Sequence, residues 1–371
     1  VHAYNLKSIY PSPDNSSSLV GDYTFSNVSF SEPATDAFQS RLTGTIRTSE
    51  TSGYFIDIFR SSRNDKKDKK HEYLFHSQGS QIQLSNFSGT SISTVLTEEL
   101  SSAKGDLVGY DYFKNKRGVE YNQNFIAQFS MLTSLTKDLK MNLWMKGFDS
   151  RSVYTVDAPF SRAIREGTGP ESLYHKPLPT LVVRQNGEAE TRPFISIIDV
   201  FNSGDATTVK NVDYFDPLAS SSGFVGIKVS SANNRIDYVY NHQNGDEKQT
   251  FSDGAFIGTF GIVSFENNII SSIFLGHGKF LEKVKWRIET TDKPGAVMVE
   301  TTDDGFVIDA EVPFRLSIPI QKTIKTIGLS YADNSGKQQN SKGDIVKRKN
   351  EQFAEFELPI LRNTILKKTT N

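Results

Sequence analysis

Two stretches of the sequence hold most of the residues able to do chemistry. The first, between Gly53 and Ser77, carries Asp57, Arg60, His71, Glu72, Tyr73 and His76. The second, LVVRQNGEAETRPF (181–194), carries Arg184, Gln185, Glu188 and Arg192. Asp57 stands between Ile56 and Ile58, and Arg184 follows Leu181-Val-Val. A charge inside so apolar a run must be paired or must face a cleft. Facing a cleft, Arg with His and Tyr suits an acidic sugar polymer. The guanidinium holds a carboxylate in a bidentate fork, and an aromatic ring stacks on a sugar face. A cross-strand salt bridge accounts for the same residues equally well.

Other chemistries are thinly represented. His71 and His76 are five apart in HEYLFH. In a strand, an odd offset points to opposite faces, and in a helix it misses the i, i+4 spacing of a zinc-binding H-E-x-x-H. No metal site is expected from this pair, and no cofactor is expected at all. Neither G-x-S-x-G, nor a phosphate-binding P-loop, nor a D-x-D-x-D-G calcium loop is present. With no Cys, disulfides, thiolate metal sites and Cys nucleophiles are excluded together. The chain has 42 Lys+Arg against 43 Asp+Glu, a net charge of −1. A nucleic-acid binder usually shows a basic excess or stripe, so no nucleic-acid partner is expected. No apolar run approaches the roughly 20 residues of a membrane span.

The elements that must position these groups read as strands. Phe 26 and Tyr 14 enrich the chain in residues that fit a pleated surface. Apolar/polar alternation recurs in short runs bounded by Gly, Pro, Asn, Asp and Ser. Such runs include 41–47, 54–60, 81–84, 125–132, 141–145, 152–156, 181–184 and 194–201. Beyond Asn202-Ser-Gly-Asp205 the same grammar gives 224–229, 235–240, 256–265, 269–275, 284–289, 296–301, 305–312, 316–320 and 353–358. Residues 94–104, TVLTEELSSAK, allow one short helix. The charged run 63–70 reads as a solvated loop, Gly276-His-Gly278 as a loop, and Leu366–Asn371 as a fraying tail. Short, regularly spaced strands favour sandwiches over βαβ units. The expected fold is therefore all-β: a large antiparallel β-sandwich over 1–205, then a second, smaller β-sandwich domain over 206–371.

SGYFIDIFRS (52–61) followed by HEYLFHSQG (71–79) resembles the β-region of heparinase II/III-like polysaccharide lyases. MNLWMKGFDSRSVYTVDAP (141–159) and PLPTLVVRQNGEAETRPFISIIDVF (177–201) continue the likeness in the same order, which runs from about residue 40 to residue 320. The resemblance implies β-elimination on uronic-acid-containing polysaccharides and a periplasmic or extracellular location. It also implies an N-terminal helical toroid and an H-x-H-x-D segment, and this sequence contains neither. The chain is thus expected to be the C-terminal β-portion of such a lyase, its partners an anionic polysaccharide and the toroid. The alternative is a non-catalytic carbohydrate-binding or structural β-module. By the resemblance, His71, Tyr73 and His76 are catalytic candidates. Arg60, Arg184 and Gln185 are candidates for holding substrate.

Overall fold

The computed structural model describes residues 4–13, 21–100, 109–131, 139–160, 175–219, 221–333 and 335–370. Among them there is no α-helix, and nearly everything between turns is antiparallel strand. His2 and residues 101–104 of the expected helix lie outside the described residues. The chain divides into two units. The first holds Val1–Leu6 and Asn27–Thr208, and the second holds Lys7–Ser26 and Val209–Asn371. The second is smaller by only a few residues. A contiguous split at residue 205 does not contain this placement of Lys7–Ser26.

The strands of the first unit are β1 (Asn5–Tyr10), β2 (Tyr23–Glu32), β3 (Ala37–Arg47), β4 (Gly53–Arg63), β5 (Lys70–His76), β6 (Gly79–Asn86) and β7 (Val95–Leu96). They continue with β8 (Lys114–Glu120), β9 (Phe125–Met131), β10 (Leu139–Met145), β11 (Arg151–Ala158), β12 (Leu178–Asn186) and β13 (Ala189–Asn202). β1 and β2 each straddle the division between units. One sheet has the order β1-β2-β3-β4-β13-β10-β9-β6, and the other β5-β12-β11-β8-β7. Their facing sides enclose a core that includes Tyr73, Phe129, Leu143, Val153, Leu181, Val183 and Phe194. The outer face of the five-stranded sheet has a core of its own. Tyr154, Val156 and Val182 pack there with Leu100, Tyr110 and Phe113. β12 is consequently buried from Pro179 to Gln185. That double covering is why its sequence, Leu181-Val-Val, does not alternate.

The second unit begins with β14 (Val209–Phe215), β15 (Phe224–Ser231), β16 (Arg235–His242), β17 (Gln249–Phe251), β18 (Gly254–Glu266) and β19 (Ile269–Lys283). Then come β20 (Trp286–Thr290), β21 (Gly295–Thr301), β22 (Gly305–Ala310), β23 (Phe314–Ile320) and β24 (Ile327–Ala332). The last are β25 (Gln338–Lys342), β26 (Asp344–Arg348), β27 (Glu351–Leu358) and β28 (Leu361–Thr370). The sheet branches at the long strand β19, which pairs with β21 through Ser272–Gly278 and with β20 through Phe280–Lys283. One branch runs β21-β22-β28-β24-β25, and the other β20-β23-β27-β26. Val299, Phe306 and Leu366 of the first branch share one core with Leu316, Ala354 and Phe356 of the second, which makes this unit a sandwich too. The Lys7–Ser26 stretch adds a further aromatic layer. Tyr23 stacks on Phe274 at 5.2 Å, Tyr10 meets Phe274 at 4.9 Å, and Phe25 meets Phe260 at 4.9 Å. A Cβ at Gly276 would come within 2.8 Å of the Phe25 ring, so this glycine serves close packing.

Four expectations change. Gly276-His-Gly278 lies inside β19, where the register to β18 shifts. Val95 and Leu96 pair with β8 rather than starting a helix; β-branched Thr94, Val95 and Thr97 favour the extended backbone. Val284 and Lys285 have φ of 46° and 73° and form the turn between β19 and β20, so the strand expected from 284 begins at Trp286. The tail is also no tail. β28 runs between β22 and β24, with Leu361 and Leu366 buried. We therefore expect Leu366→Asp to destabilise the second unit by about 4 kcal/mol or more. Thermal unfolding and limited proteolysis check this, and an unchanged transition would show that β28 is dispensable.

Candidate functional site

The pleat of β5 sorts the first stretch of candidates. β5 is an edge strand, paired with β12 so that Glu72 faces Arg184, Tyr73 faces Val183 and His76 faces Thr180. Tyr73 belongs to the sandwich interior and Leu74 to the outer core. His71, Tyr73 and Phe75 therefore point inward, and Glu72, Leu74 and His76 outward. The histidines stand on opposite faces, as their odd spacing requires.

Inside, both ring nitrogens of His71 are occupied: Nδ1 bonds Ser61 Oγ at 2.6 Å and Nε2 bonds Asp68 Oδ1 at 2.7 Å. Tyr73 donates its hydroxyl to Asp57 Oδ2 at 2.9 Å, and Asp57 also takes a two-pronged contact from Arg41, at 2.8 Å from Nε and 2.5 Å from Nη2. Burial, and after it the Asp57 charge, push the Tyr73 phenol well above its ordinary value. It stays protonated at neutral pH and acts as a donor to Asp57. Arg41 was not singled out in the sequence. Its only signal was its polar place in the 41–47 alternation, and its side chain is 44% exposed while holding Asp57.

Outside, Arg184 grips Glu72 with Nε at 2.6 Å and Nη2 at 2.5 Å. Tyr110 donates to the other Glu72 oxygen. The guanidinium lies 5.3 Å from the Tyr154 ring centre, and Tyr154 donates to Glu99 at 2.6 Å. Arg184 Nη1 is buried without a hydrogen bond, and Glu99 is the nearby charge at 3.9 Å.

His76 is different because it is exposed. Its Nδ1 lies 2.8 Å from Thr180 Oγ1, and the Thr180 hydroxyl donates its single proton to the Leu178 carbonyl at 3.0 Å. Thr180 can then only accept from the imidazole. In that arrangement the imidazole proton sits on Nδ1 and the Nε2 lone pair is open. Partial burial lowers the His76 pKa below its ordinary value, so the ring is neutral near pH 7. This is the geometry of an imidazole ready to take up a proton.

The remaining candidates lie elsewhere. Arg60 donates to the Glu190 carbonyl at 2.7 Å, and burial brings its pKa down to about 10 despite Glu190 and Glu188. Gln185 is fully buried. Its oxygen accepts from Arg151 Nε at 2.9 Å, and its amide donates to the Asp149 and Asn186 carbonyls at 3.0 Å. The six candidates thus fall at several places and do not close around one cleft. Beside β6 a separate cleft of about 630 Å³ is lined by Gln83, Gln128, Asn142 and Thr94, none of which stood out in the sequence.

Comparison with known proteins adds a chemical class to this geometry. Residues 212–301 match the family model described as the endo-acting ulvan lyase C-terminal domain. Over 262 residues the chain is 27% identical to an endo-acting ulvan lyase of Formosa agariphila, in an alignment covering 68% of this chain. Both likenesses are to polysaccharide lyases. They support that wider class and do not single out the heparinase II/III-like kind. The alignment covers 30% of the relative's own length, so this chain spans about a third of that enzyme.

Two expectations follow from the geometry. Glu72→Gln, which strips Arg184 of its counter-charge, should cost about 3 kcal/mol in urea unfolding, and Glu72→Leu with Arg184→Met should regain most of it. A double variant as unstable as the single one would contradict the pairing. Long-range proton–nitrogen NMR should find His76 protonated on Nδ1 alone, with a pKa below 6.5. Because the folded-state value is lowered, the stability that His76 contributes is complete above pH 6.5 and declines as pH falls through the folded-state value. A protonated Nε2 at pH 8 would rule out the Thr180 lock.

Proposed function

We propose that this chain is the C-terminal β-portion of a polysaccharide lyase that acts on a uronic-acid-containing polymer. The observation that carries the reading is the likeness to an endo-acting ulvan lyase over most of the chain. The order of motifs between residues 52 and 201 adds the finer assignment, an architecture of the heparinase II/III-like kind. In that chemistry a base removes the proton on C5 of the uronate. The electron pair forms the C4–C5 double bond, and O4 leaves with a proton from a general acid. The uronate carboxylate must be neutralised for C5 to be acidic enough.

The first unit supplies only part of this. Arg41 and Arg184 are already neutralised by Asp57 and Glu72, and Arg60 is buried against backbone. Neutralisation of the carboxylate is therefore assigned to the helical toroid of a longer lyase. His76, with its open Nε2, is the proton-handling group we assign to this chain. A polymeric substrate argues for work outside the cytoplasm, in the periplasm or beyond the cell. The dispersal of the six candidates favours a second reading, a carbohydrate-binding β-module without catalysis of its own.

The test is incubation of the chain with ulvan, heparan sulfate, chondroitin sulfate and alginate. Binding in affinity electrophoresis is expected, without appreciable formation of unsaturated uronate. Rapid formation of that product by this chain would refute the assignment of catalysis to a further domain. Failure to bind any of the four polymers would remove the substrate class. His76→Ala separates the two readings in the full-length lyase: loss of turnover with binding retained supports the first, and unchanged turnover supports the second.

A further inference from the structure

The second unit contains a cavity of about 240 Å³ built on a buried polar floor. Arg235, 5% exposed, donates from Nε to Asp237 at 3.0 Å, and from Nη2 to Tyr23 at 3.1 Å and Ser264 at 3.2 Å. The Tyr23 hydroxyl also bonds Ser264 at 2.7 Å and Ser272. Strand register explains the gathering. Asp237, Ser264, Ser272 and Glu300 stand opposite one another across β16, β18, β19 and β21, and Arg235 stands opposite Glu266. The pleat turns this whole row to one side.

The lining selects a kind of ligand. Asp22, Glu266 and Glu300 line the cavity, and its one guanidinium is already paired with Asp237 at 3.0 Å and, from Nη1, with Glu266 at 3.5 Å. An anion would meet net repulsion there. Among the described residues no three His, Asp or Glu side chains are grouped to hold a metal ion. What the walls offer is the Glu266 oxygen that does not meet Arg235, hydroxyls and a guanidinium below, and an apolar side at Met298 and Ile269, the latter 72% exposed. Vicinal hydroxyls donating to a carboxylate, with a C–H face laid on aliphatic carbon, match that lining. The volume is below that of a drug-sized pocket, which suits a single ring.

We propose that this cavity binds one neutral sugar residue, at a site made wholly of second-unit residues. The choice of a sugar rests on the carbohydrate reading above; the exclusion of anions rests on the cavity itself.

The experiment is calorimetry on the whole chain with xylose, glucose, galactose, mannose and glucuronate, repeated for the rim variants Glu266→Gln and Ile269→Asp. At least one neutral sugar should bind, at least tenfold tighter than glucuronate. Each rim variant should weaken it about tenfold, Glu266→Gln on the scale of one hydrogen bond to a charged group and Ile269→Asp through loss of the apolar contact. The proposal is overturned if no neutral sugar binds, if glucuronate binds as well, or if neither variant changes affinity. Binding of the anionic polymers is measured on the same samples. Loss of that binding alone defeats the lyase reading, and loss of neutral-sugar binding alone defeats the cavity.

Discussion

A strand covered on both faces has no solvent side, and this constraint governs where the protein keeps its charges. The middle strands of the five-stranded sheet lie between two cores, and the sheet around β16 and β19 is clad on both faces as well. A charged group on such a strand must find its counterpart on a neighbour or forgo its ionised state. Several find one, on a neighbouring strand or two residues along the same one, whereas Arg60 and Arg151 are held by carbonyl and amide oxygens. Arg184 has Glu72, Asp57 has Arg41 and Tyr73, and Arg235 has Asp237. Lys283 meets Asp253 at 2.8 Å with its ammonium 3.9 Å from the Tyr238 ring. Most of the charge embedded in the strands is therefore architecture.

That constraint also explains why His76, at the edge of its sheet, differs from the other candidates. β5 borders its sheet, so its outward residues escape full cladding toward its end. Glu72 is drawn into the Arg184 cluster, whereas His76 remains exposed with one nitrogen tethered and the other open. The other candidates of the first unit are held by partners inside the fold.

Much of this architecture was legible in the sequence because period-two alternation reports one buried face directly. The strands at 41–47 and 81–84 show it, and the odd spacing of His71 and His76 gave their opposite faces. What was not legible depends on partners far along the chain. Nothing local distinguishes Leu361–Thr370, rich in Lys and Thr, from a frayed end; only Phe306 across the sheet makes Leu366 a core residue. Gly276-His-Gly278 looked like a loop because a glycine that opens a turn and one that admits a neighbouring ring have the same signature. The Arg in Leu181-Val-Val-Arg184 announced a partner, but only the β5–β12 register identified it as Glu72. Arg41 gave almost no sign, since a polar residue at an alternating position is the ordinary case.

The placement of Lys7–Ser26 bears on how the protein emerges during synthesis. Tyr23 bonds a serine 241 positions later, and Tyr10 bonds Asp309 at a separation of 299. At about 5–20 residues per second, the earliest tyrosines leave the ribosome roughly 12–60 s before their partners exist. The whole of Asn27–Thr208 is made within that interval and can close on itself. The second unit thus holds a segment made before Asn27–Thr208 and is completed after it, and the aromatic side chains of that segment must be kept from other company until β18, β19 and β22 arrive.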